Sequence, residues 1–524
     1  MLGAGVRRRQ ANRHVPAGFE QESRDIRVRE SESRRTMAVL ERPLLKRLFA
    51  VRPIESLLRD LQAAPPLKRV LTARSLTAIG LGSTIGTGIF ILTGTVAANH
   101  AGPALTLALL IAAIGSSLAA ICYAEFAAMI PVSGSAYTYT YATLGEAVAW
   151  FIGWNLSLEY MMSGAAVAVG WSEYVVQLLD TFGVRLPEVL TNAPFDKTAD
   201  GTLGRTGALI NAPAVLVVLV LGAVCYVGIR ESAGVNMLMV AIKVGVIVVF
   251  VVAGLAFVDA SNWDPYIPPN TGKFGEFGLS GVMTGAAIIF FSYIGFDTAS
   301  TTAREARNPQ RDVPLGILAA LGISAVLYIA MAAVMTGMVP YLELDVAAPV
   351  AVALNAHPQL AWLGVLVELG AIIGMTSVIL MSLLGQPRIF LAMAEDGLLP
   401  PAMKAVHPVH RTPHVATAIS TAVAAIVAGL FPLNVLGELI SIGILLAFTV
   451  VCIGVLVLRH TRPDQPRPFR VPFAPLTCVL GAAVCGGMTL FLPADTWWRL
   501  AVWTALGFAI YAAYGYRHSK LRLE

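Results

Sequence analysis

Leu76-Thr77-Ala78-Ile79-Gly80-Leu81-Gly82-Ser83-Thr84-Ile85-Gly86-Thr87-Gly88-Ile89-Phe90 reads as part of one membrane span, 76–99, broken in its middle. Gly80, Gly82, Gly86 and Gly88, with Ser83, Thr84 and Thr87, sit between two apolar arms. Ordinary spans avoid such a run, because backbone groups freed from helix bonding are expensive in lipid. A break of this kind persists where protein or a water-filled cavity covers it. There the freed N–H groups opening the second half-helix can hold an anion. A second candidate break is Phe291-Ser292-Tyr293-Ile294-Gly295-Phe296-Asp297. Two interrupted spans in matching halves point to the binding site of a secondary transporter.

Working outward, the chain has 524 residues, 56% hydrophobic and 13% charged, with a mean hydropathy of +0.71. An ordinary soluble domain carries about 25% charged residues. Twelve apolar stretches of spanning length recur, at about 76–99, 104–130, 147–178, 210–229, 233–258, 280–303, 315–338, 359–394, 413–431, 434–458, 473–491 and 497–516. All five cysteines (Cys122, Cys225, Cys452, Cys478, Cys485) fall in these stretches without metal-ligand spacing, so they read as small apolar packing residues and not as a disulfide framework.

The net charge of +5 becomes informative once mapped. With the N-terminus cytoplasmic, 31 of the 37 Lys and Arg residues lie on the cytoplasmic side. Arg185, Lys197, Arg205, Lys273 and Arg499 lie outside, and Lys243 lies inside a span. This asymmetry follows the positive-inside rule with both termini cytoplasmic. It reports membrane orientation, not nucleic-acid binding.

Residues 1–36 are polar and mixed in charge, with no apolar h-region behind Arg7, Arg8 and Arg9, so a disordered tail is expected rather than a cleavable signal peptide. Residues 38–75 are semi-amphipathic and suit a short helix on the inner leaflet. The organisation expected is a cytoplasmic tail over 1–75, a ten-helix transport core over 76–458, accessory helices over 459–516 and a short tail over 517–524. Spans 1–5 and 6–10 suit an inverted repeat, since the interrupted spans are the first of each five and an odd offset flips the second half. The run from Pro131 to Tyr141 is uncharged, and its tyrosines suit either an interfacial anchor or a transport role.

The ordered motifs carry a resemblance. Gly82-Ser83-Thr84-Ile85-Gly86-Thr87-Gly88-Ile89-Phe90 resembles the first-span motif of the amino acid–polyamine–organocation (APC) superfamily. Tyr123-Ala124-Glu125-Phe126 with Pro131-Val132-Ser133-Gly134-Ser135-Ala136-Tyr137 resembles its second span and connection. Phe290-Phe291-Ser292-Tyr293-Ile294-Gly295-Phe296-Asp297, followed by Glu305-Ala306-Arg307-Asn308-Pro309, resembles its sixth span and exit loop. Gly385-Gln386-Pro387-Arg388 and Asp396-Gly397-Leu398-Leu399-Pro400 resemble the end of its eighth. The set is similar to the cationic amino acid transporter branch and its bacterial relatives over about residues 70–460.

An amino acid zwitterion needs donors for its carboxylate and acceptors for its ammonium. Gly86, Thr87 and Gly88 offer N–H groups and one hydroxyl at a half-helix N-terminus, where the dipole favours negative charge. The resemblance implies that Thr87 and Gly88 bind the carboxylate, and that the carbonyls of Thr84, Phe291 and Ile294 take the ammonium. The other reading of these glycines is close helix packing. Phe291 suits an aromatic gate over the substrate or a plain core position. Met375 lies about halfway along span 8, in a stretch that the resemblance places at the distal end of the pocket; there it would cap the pocket with an apolar surface, leave no counter-charge for a cationic side chain and favour neutral amino acids, or it would simply pack in the core or face lipid.

Lys243 lies too deep in its span to snorkel out. A central lysine costs about 2.5–3.5 kcal/mol on insertion scales, so it must face the bundle interior and find oxygen partners, or be neutral. The resemblance implies that it stands where sodium-coupled relatives hold an ion, touches the first break and couples proton movement to transport. A permanently charged strut is the other reading. Glu159 and Asp297 are the next proton-pathway candidates, or hydrogen-bonded struts. Glu125 suits a structural or gating role, and Glu368 the outer vestibule.

No Gly-x-x-x-x-Gly-Lys-[Ser/Thr] motif is present, so ATP-driven pumping is not indicated. No enzyme-like arrangement is discernible, and neither a cofactor nor a metal is expected. His407, His410 and His414 read as part of a basic cytoplasmic loop. The sequence thus indicates an all-α integral membrane protein of twelve transmembrane helices with a five-plus-five inverted repeat and discontinuous helices 1 and 6. The expected function is proton-coupled symport of neutral, or alternatively cationic, amino acids across the plasma membrane. Exchange, or sensing without flux, are the alternatives. The expected partners are an amino acid, protons and the lipid bilayer.

Overall fold

The computed structural model describes residues 48–63, 69–132, 134–197, 203–228, 233–346 and 348–522. The tail expected over 1–36, and the first part of the semi-amphipathic run, lie outside the described residues. Helix α1 (Ile54–Ala63) buries Ile54 and Leu57 against the bundle. There follow α2 (Ala73–Thr84), α3 (Leu105–Met129), α4 (Glu146–Thr181), α5 (Ala212–Val227), α6 (Ala233–Gly254), α7 (Gly278–Ile289), α8 (Pro309–Met338), α9 (Ala361–Glu395), α10 (His414–Leu430), α11 (Leu433–Thr461), α12 (Ala474–Thr489) and α13 (Ala494–Ile510). The described strands are Phe195–Lys197 and Leu203–Arg205, an antiparallel pair between α4 and α5.

The protein is an all-α membrane protein. Six described helical stretches are long and apolar enough to cross a bilayer: Gly88–Met129, Asn236–Phe257, Gly278–Thr301, Pro309–Met338, Pro358–Glu395 and Leu433–Thr461. A seventh arises if α12 and the stretch Ala494–His518, bent by 106°, count as one span. This is fewer than the twelve stretches of the sequence reading, for local reasons. α2 ends at the first break after 12 residues, and α5 and α10 have 16 and 17. α4 has 36 residues, but Asn155, Ser157, Glu159 and Tyr160 dilute its apolar character. All four are buried, so they face protein rather than lipid.

α2 starts where the Thr72 hydroxyl accepts the Ser75 N–H at 3.4 Å, an ordinary N-cap. It stops at Ile85, whose backbone turns extended (φ −77°, ψ 100°). The chain resumes as a π-helix over Gly88–Leu92, a short α-helix Thr93–Val96 and a second π turn Ala97–Ala101. α7 likewise tightens into a 3-10 turn over Phe290–Tyr293, becomes extended at Ile294, and passes through Gly295 at φ +112°. π turns inside helices are frequent at functional sites.

Small residues let the helices around these breaks approach closely. A Cβ on Gly80 would stand 2.6 Å from the Ala320 Cβ of α8, and one on Gly316 would stand 2.7 Å from the Leu76 Cβ of α2. The tyrosines of Ser135–Tyr141 form no interfacial anchor: Tyr137, Tyr139 and Tyr141 are all buried. The physical reason is that they pack inside: Tyr139 stacks on Phe126 with ring centroids 5.1 Å apart, and the Tyr137 hydroxyl donates to Asp396 Oδ2 at 2.6 Å.

Ion pairs fasten one end of the bundle. Asp396 also accepts Arg52, which ties the segment before α1 to the end of α9. Burial pushes the Asp396 carboxyl up to about 6, against the pull of Arg52 and Tyr137. Glu125 lies between Arg459 at 2.5 Å and Arg467 at 3.3 Å, a structural pairing. Glu146 accepts Tyr511 Oη at 2.6 Å and also Ser519, which holds the last described segment. At the opposite end, Lys197 meets Glu438 at 2.7 Å.

Gly295→Ala tests how tightly the second break is held. Its Cβ would lie 2.7 Å from the Ser83 backbone, at a φ that L residues rarely adopt. A loss of about 1–3 kcal/mol is expected, read as a lower Tm in detergent. Gly487→Ala, whose Cβ meets nothing within 4 Å, is the control and should leave Tm unchanged or raised.

Candidate functional site

The two breaks touch each other. A Cβ on Gly88 would stand 2.3 Å from Ser292 Oγ and 2.6 Å from its Cα. A Cβ on Gly295 would stand 2.7 Å from the Ser83 carbonyl group. Each break therefore presents a glycine to a serine of the other. Both the packing reading and the ligand reading of these glycines have a physical basis here. The N–H groups of Gly86, Thr87 and Gly88 donate to no backbone carbonyl among the described residues. Thr87 Oγ1 and Ser292 Oγ are buried and have no hydrogen-bond partner among the described residues. Buried polar atoms are normally paired, so unpaired ones need an explanation.

The acceptors are unequally occupied. The Thr84 carbonyl accepts the Tyr328 hydroxyl of α8 at 2.9 Å, and the Phe291 carbonyl accepts the Ile294 N–H at 3.2 Å. The Ile294 carbonyl accepts nothing among the described residues. Each carbonyl has two lone pairs, so the first two retain one acceptor direction.

Lys243, on α6, is fully buried and reaches the first break. Its Nζ donates to the Gly82 carbonyl at 2.8 Å and to the Ile85 carbonyl at 2.9 Å. These are among the last carbonyls before the helix opens, where the partial charge is negative. From α9, the Ser377 hydroxyl donates to the Gly374 carbonyl at 2.8 Å and lies 3.3 Å from that of Gly82. The Lys243 stem packs over Gly374, and Val378 packs on Gly86. Helices α6 and α9 thus clamp the break from one side. On the other side Gly170 of α4 receives the Thr87 methyl.

A small cavity of about 20 Å³ adjoins the second break. That is room for a water molecule rather than an amino acid. Ser83, Ile294 and Gly295 from the breaks line it with Glu159, Tyr160, Asp297 and Ser382. Asp297 Oδ2 accepts Ser135 Oγ at 3.1 Å and Tyr160 Oη at 3.2 Å. Glu159 Oε2 is buried without a partner. The structure therefore gathers Thr84, Gly86, Thr87, Gly88, Phe291 and Ile294 around the breaks, with Glu159 and Asp297 beside them and Lys243 behind.

Met375 is fully buried, but the residues of α9 placed against the first break are Gly374, Ser377 and Val378, and those lining the cavity are Met381 and Ser382. Sequence reasoning missed Tyr328 and Ser382, since each is a single hydroxyl in an apolar stretch of helix. The signal available was that such hydroxyls, three or four residues from glycines or from one another, mark an interior face. His407, His410 and His414 cluster around Tyr226 with ring centroids 4.6–6.3 Å apart. No described group of His, Cys, Asp or Glu is arranged to hold a metal.

A profile of the amino acid permease family matches residues 71–511, which contain both breaks, Lys243 and the cavity. The chain belongs to that family. It is 43% identical over 474 residues to the methylthioribose transporter of Bacillus subtilis (strain 168), a match covering 90% of this chain and 99% of that protein. It is 42% identical over 475 residues to the branched-chain amino acid permease BcaP of the same organism, with the same coverage. It is 40% identical over 398 residues to the vacuolar cationic amino acid transporter 4 of Arabidopsis thaliana, covering 76% of this chain and 64% of that protein. In this permease the family match and the paired breaks fall on the same residues.

Lys243→Met keeps the stem and removes the donor. Each charge-assisted bond is worth about 1.5–3 kcal/mol. Amide exchange across residues 82–89, followed by mass spectrometry, is therefore expected to rise about tenfold or more. Unchanged exchange would show that packing alone holds the break.

Proposed function

We propose that this permease is a secondary active amino acid transporter of the plasma membrane. The observation that carries this reading is the contact between the two breaks, with free N–H groups on one side and an open carbonyl on the other. An α-carboxylate fits the N–H groups of Gly86, Thr87 and Gly88 and the orphaned Thr87 hydroxyl. An α-ammonium fits the Ile294 carbonyl and the remaining acceptor directions of Thr84 and Phe291. An uncharged sugar thioether would leave the half-helix dipole unused, so an amino acid is favoured despite the methylthioribose relative. The branched-chain relative favours a neutral side chain.

The arrangement we propose has twelve spans, with both termini cytoplasmic. Spans 1 and 6 are the broken ones, α4, α5 and α10 are spans 3, 4 and 9, and α12 and α13 are spans 11 and 12. Spans 1–5 and 6–10 are inverted repeats that rock to alternate access. Proton coupling runs through Lys243: loss of its proton would weaken its hold on the Gly82 and Ile85 carbonyls and loosen the first break. Glu159 and Asp297 supply the neighbouring proton sites. Exchange uses the same cycle without net proton movement.

Uptake into proteoliposomes without sodium, with and without an inward proton gradient, tests this. Accumulation of a neutral amino acid under the gradient alone is expected. A need for amino acid on both sides would mean exchange, and binding without flux would mean sensing. Lys243→Ala is expected to abolish accumulation while the protein elutes as a single folded species; unchanged pH-driven accumulation would remove Lys243 from coupling. Thr87→Val deletes one donor to a charged group, so affinity should fall about tenfold or more for every amino acid carried. A loss confined to one substrate would contradict the carboxylate assignment.

A further inference from the structure

Three hydroxyls of the first broken span satisfy themselves in the same way. Ser83 Oγ donates to the Ile79 carbonyl at 3.1 Å, Thr84 Oγ1 to that of Gly80 at 2.8 Å and Thr93 Oγ1 to that of Ile89 at 2.7 Å, each four residues back. This is the ordinary local bond of a serine or threonine inside a helix. Thr87 has no such bond. The residue four back is Ser83, and between the two the backbone turns extended at Ile85. Thr87 Oγ1 is left buried without a partner among the described residues. No hydrogen bond among those residues therefore fixes which way this hydroxyl points.

Packing from α4 fixes it instead. A Cβ on Gly170 would stand 2.3 Å from Thr87 Cγ2 and 2.5 Å from Ile91 Cδ1, so these two side chains fill the space that the glycine leaves. Methyl and hydroxyl share one Cβ in threonine, and χ1 of a β-branched residue is stiff. With the methyl seated on Gly170, the hydroxyl is directed off α4. One turn further along the same face of α4 stands Tyr174, which is fully buried. Its hydroxyl donates to the Phe90 carbonyl at 2.9 Å, and its ring meets that of Phe90 edge-on with centroids 6.4 Å apart. Two contacts one turn apart hold the second half-helix in both its rotation and its height against α4.

We propose that Gly170 and Tyr174 are positioning residues for the substrate carboxylate. Gly170 seats the Thr87 methyl so that the hydroxyl faces the carboxylate, and Tyr174 holds the half-helix in the rotation that keeps it there. Neither touches the substrate. The proposal rests on the transport reading, in which Thr87 donates to that group. One consequence is that the methyl can change sides. Gly170→Ala puts a methyl almost where Thr87 Cγ2 lies. Ile91 Cδ1 is the end of a flexible chain and can swing aside, whereas Thr87 Cγ2 moves by turning χ1, which carries the hydroxyl with it. Thr87→Ser keeps the hydroxyl but deletes the methyl, and so frees the hydroxyl to turn towards α4. Combining the two changes returns a methyl to the same space from the other helix.

The test is uptake of radiolabelled leucine and alanine by the full chain in proteoliposomes, with KM, kcat per folded molecule and Tm in detergent measured for each variant. Gly170→Ala is expected to raise KM about tenfold, and Thr87→Ser and Tyr174→Phe about threefold each, with kcat within about twofold. The rise should be the same for both amino acids, because the carboxylate is common to them. Gly170→Ala combined with Thr87→Ser is expected to return KM to within about twofold of wild type, although each change alone is harmful. A purely structural role for Gly170 would move Tm and leave KM alone. An unchanged KM in Gly170→Ala, a double variant with KM no lower than Thr87→Ser, recovery of Tm without recovery of KM, or a wild-type KM in Tyr174→Phe would each overturn the proposal. If Gly170→Ala does not fold, the comparison of the double variant with Thr87→Ser still decides it. Wild-type uptake with any of those results removes the positioning alone. A wild type that neither binds nor carries either amino acid removes the transport reading, and this inference with it.

Discussion

One buried ammonium holds the middle of this protein together. Lys243 is fully buried, and its Nζ donates to two carbonyls that α2 leaves over at its end. The need is mutual. A helix that stops inside a membrane strands carbonyl groups, and a lysine inside a membrane strands donors. Each removes the other's penalty, and the partial negative charge at a helix C-terminus favours the pair further. Everything around the site depends on this fit. α6 is fixed to α2, and α9 follows through Ser377 and Gly374.

Polar groups are distributed unevenly along the bundle. Ion pairs stand at its ends: Arg52 with Asp396, Glu125 with two arginines, and Glu438 with Lys197. In the middle polar groups are left open, at Thr87 Oγ1, Ser292 Oγ and Glu159 Oε2. Unpaired buried groups cost about 1–3 kcal/mol each, so a fold does not gather them without compensation.

Much of this was legible in the sequence, because the strongest signals are local. Glycine and small hydroxyls inside an apolar run located both breaks, and the chain does open at Ile85 and at Ile294. A lone Lys243 in a 26-residue apolar run had to find oxygen, and it does. What was not legible comes from distance in the chain. Nothing near Gly88 announces Ser292, and nothing near Thr84 announces Tyr328. The tyrosines of 135–141 suited an interface or a transport role by residue type alone, and only the fold shows that all three are buried. Met375 drew attention by its position along a helix, but which face it occupies was set by packing.

The glycine–serine contacts between the breaks also limit how this chain can vary. Most packed positions tolerate change through compensation: one side chain grows and its neighbour shrinks. Gly88 and Gly295 have nothing to lose, and what they touch includes the backbone of Ser292 and Ser83, which no substitution can shrink. Enlargement at either glycine therefore has no partner change that restores the fit. The two breaks, about two hundred residues apart in sequence, are bound to a single shared geometry, and change in side-chain size is left to the walls around it.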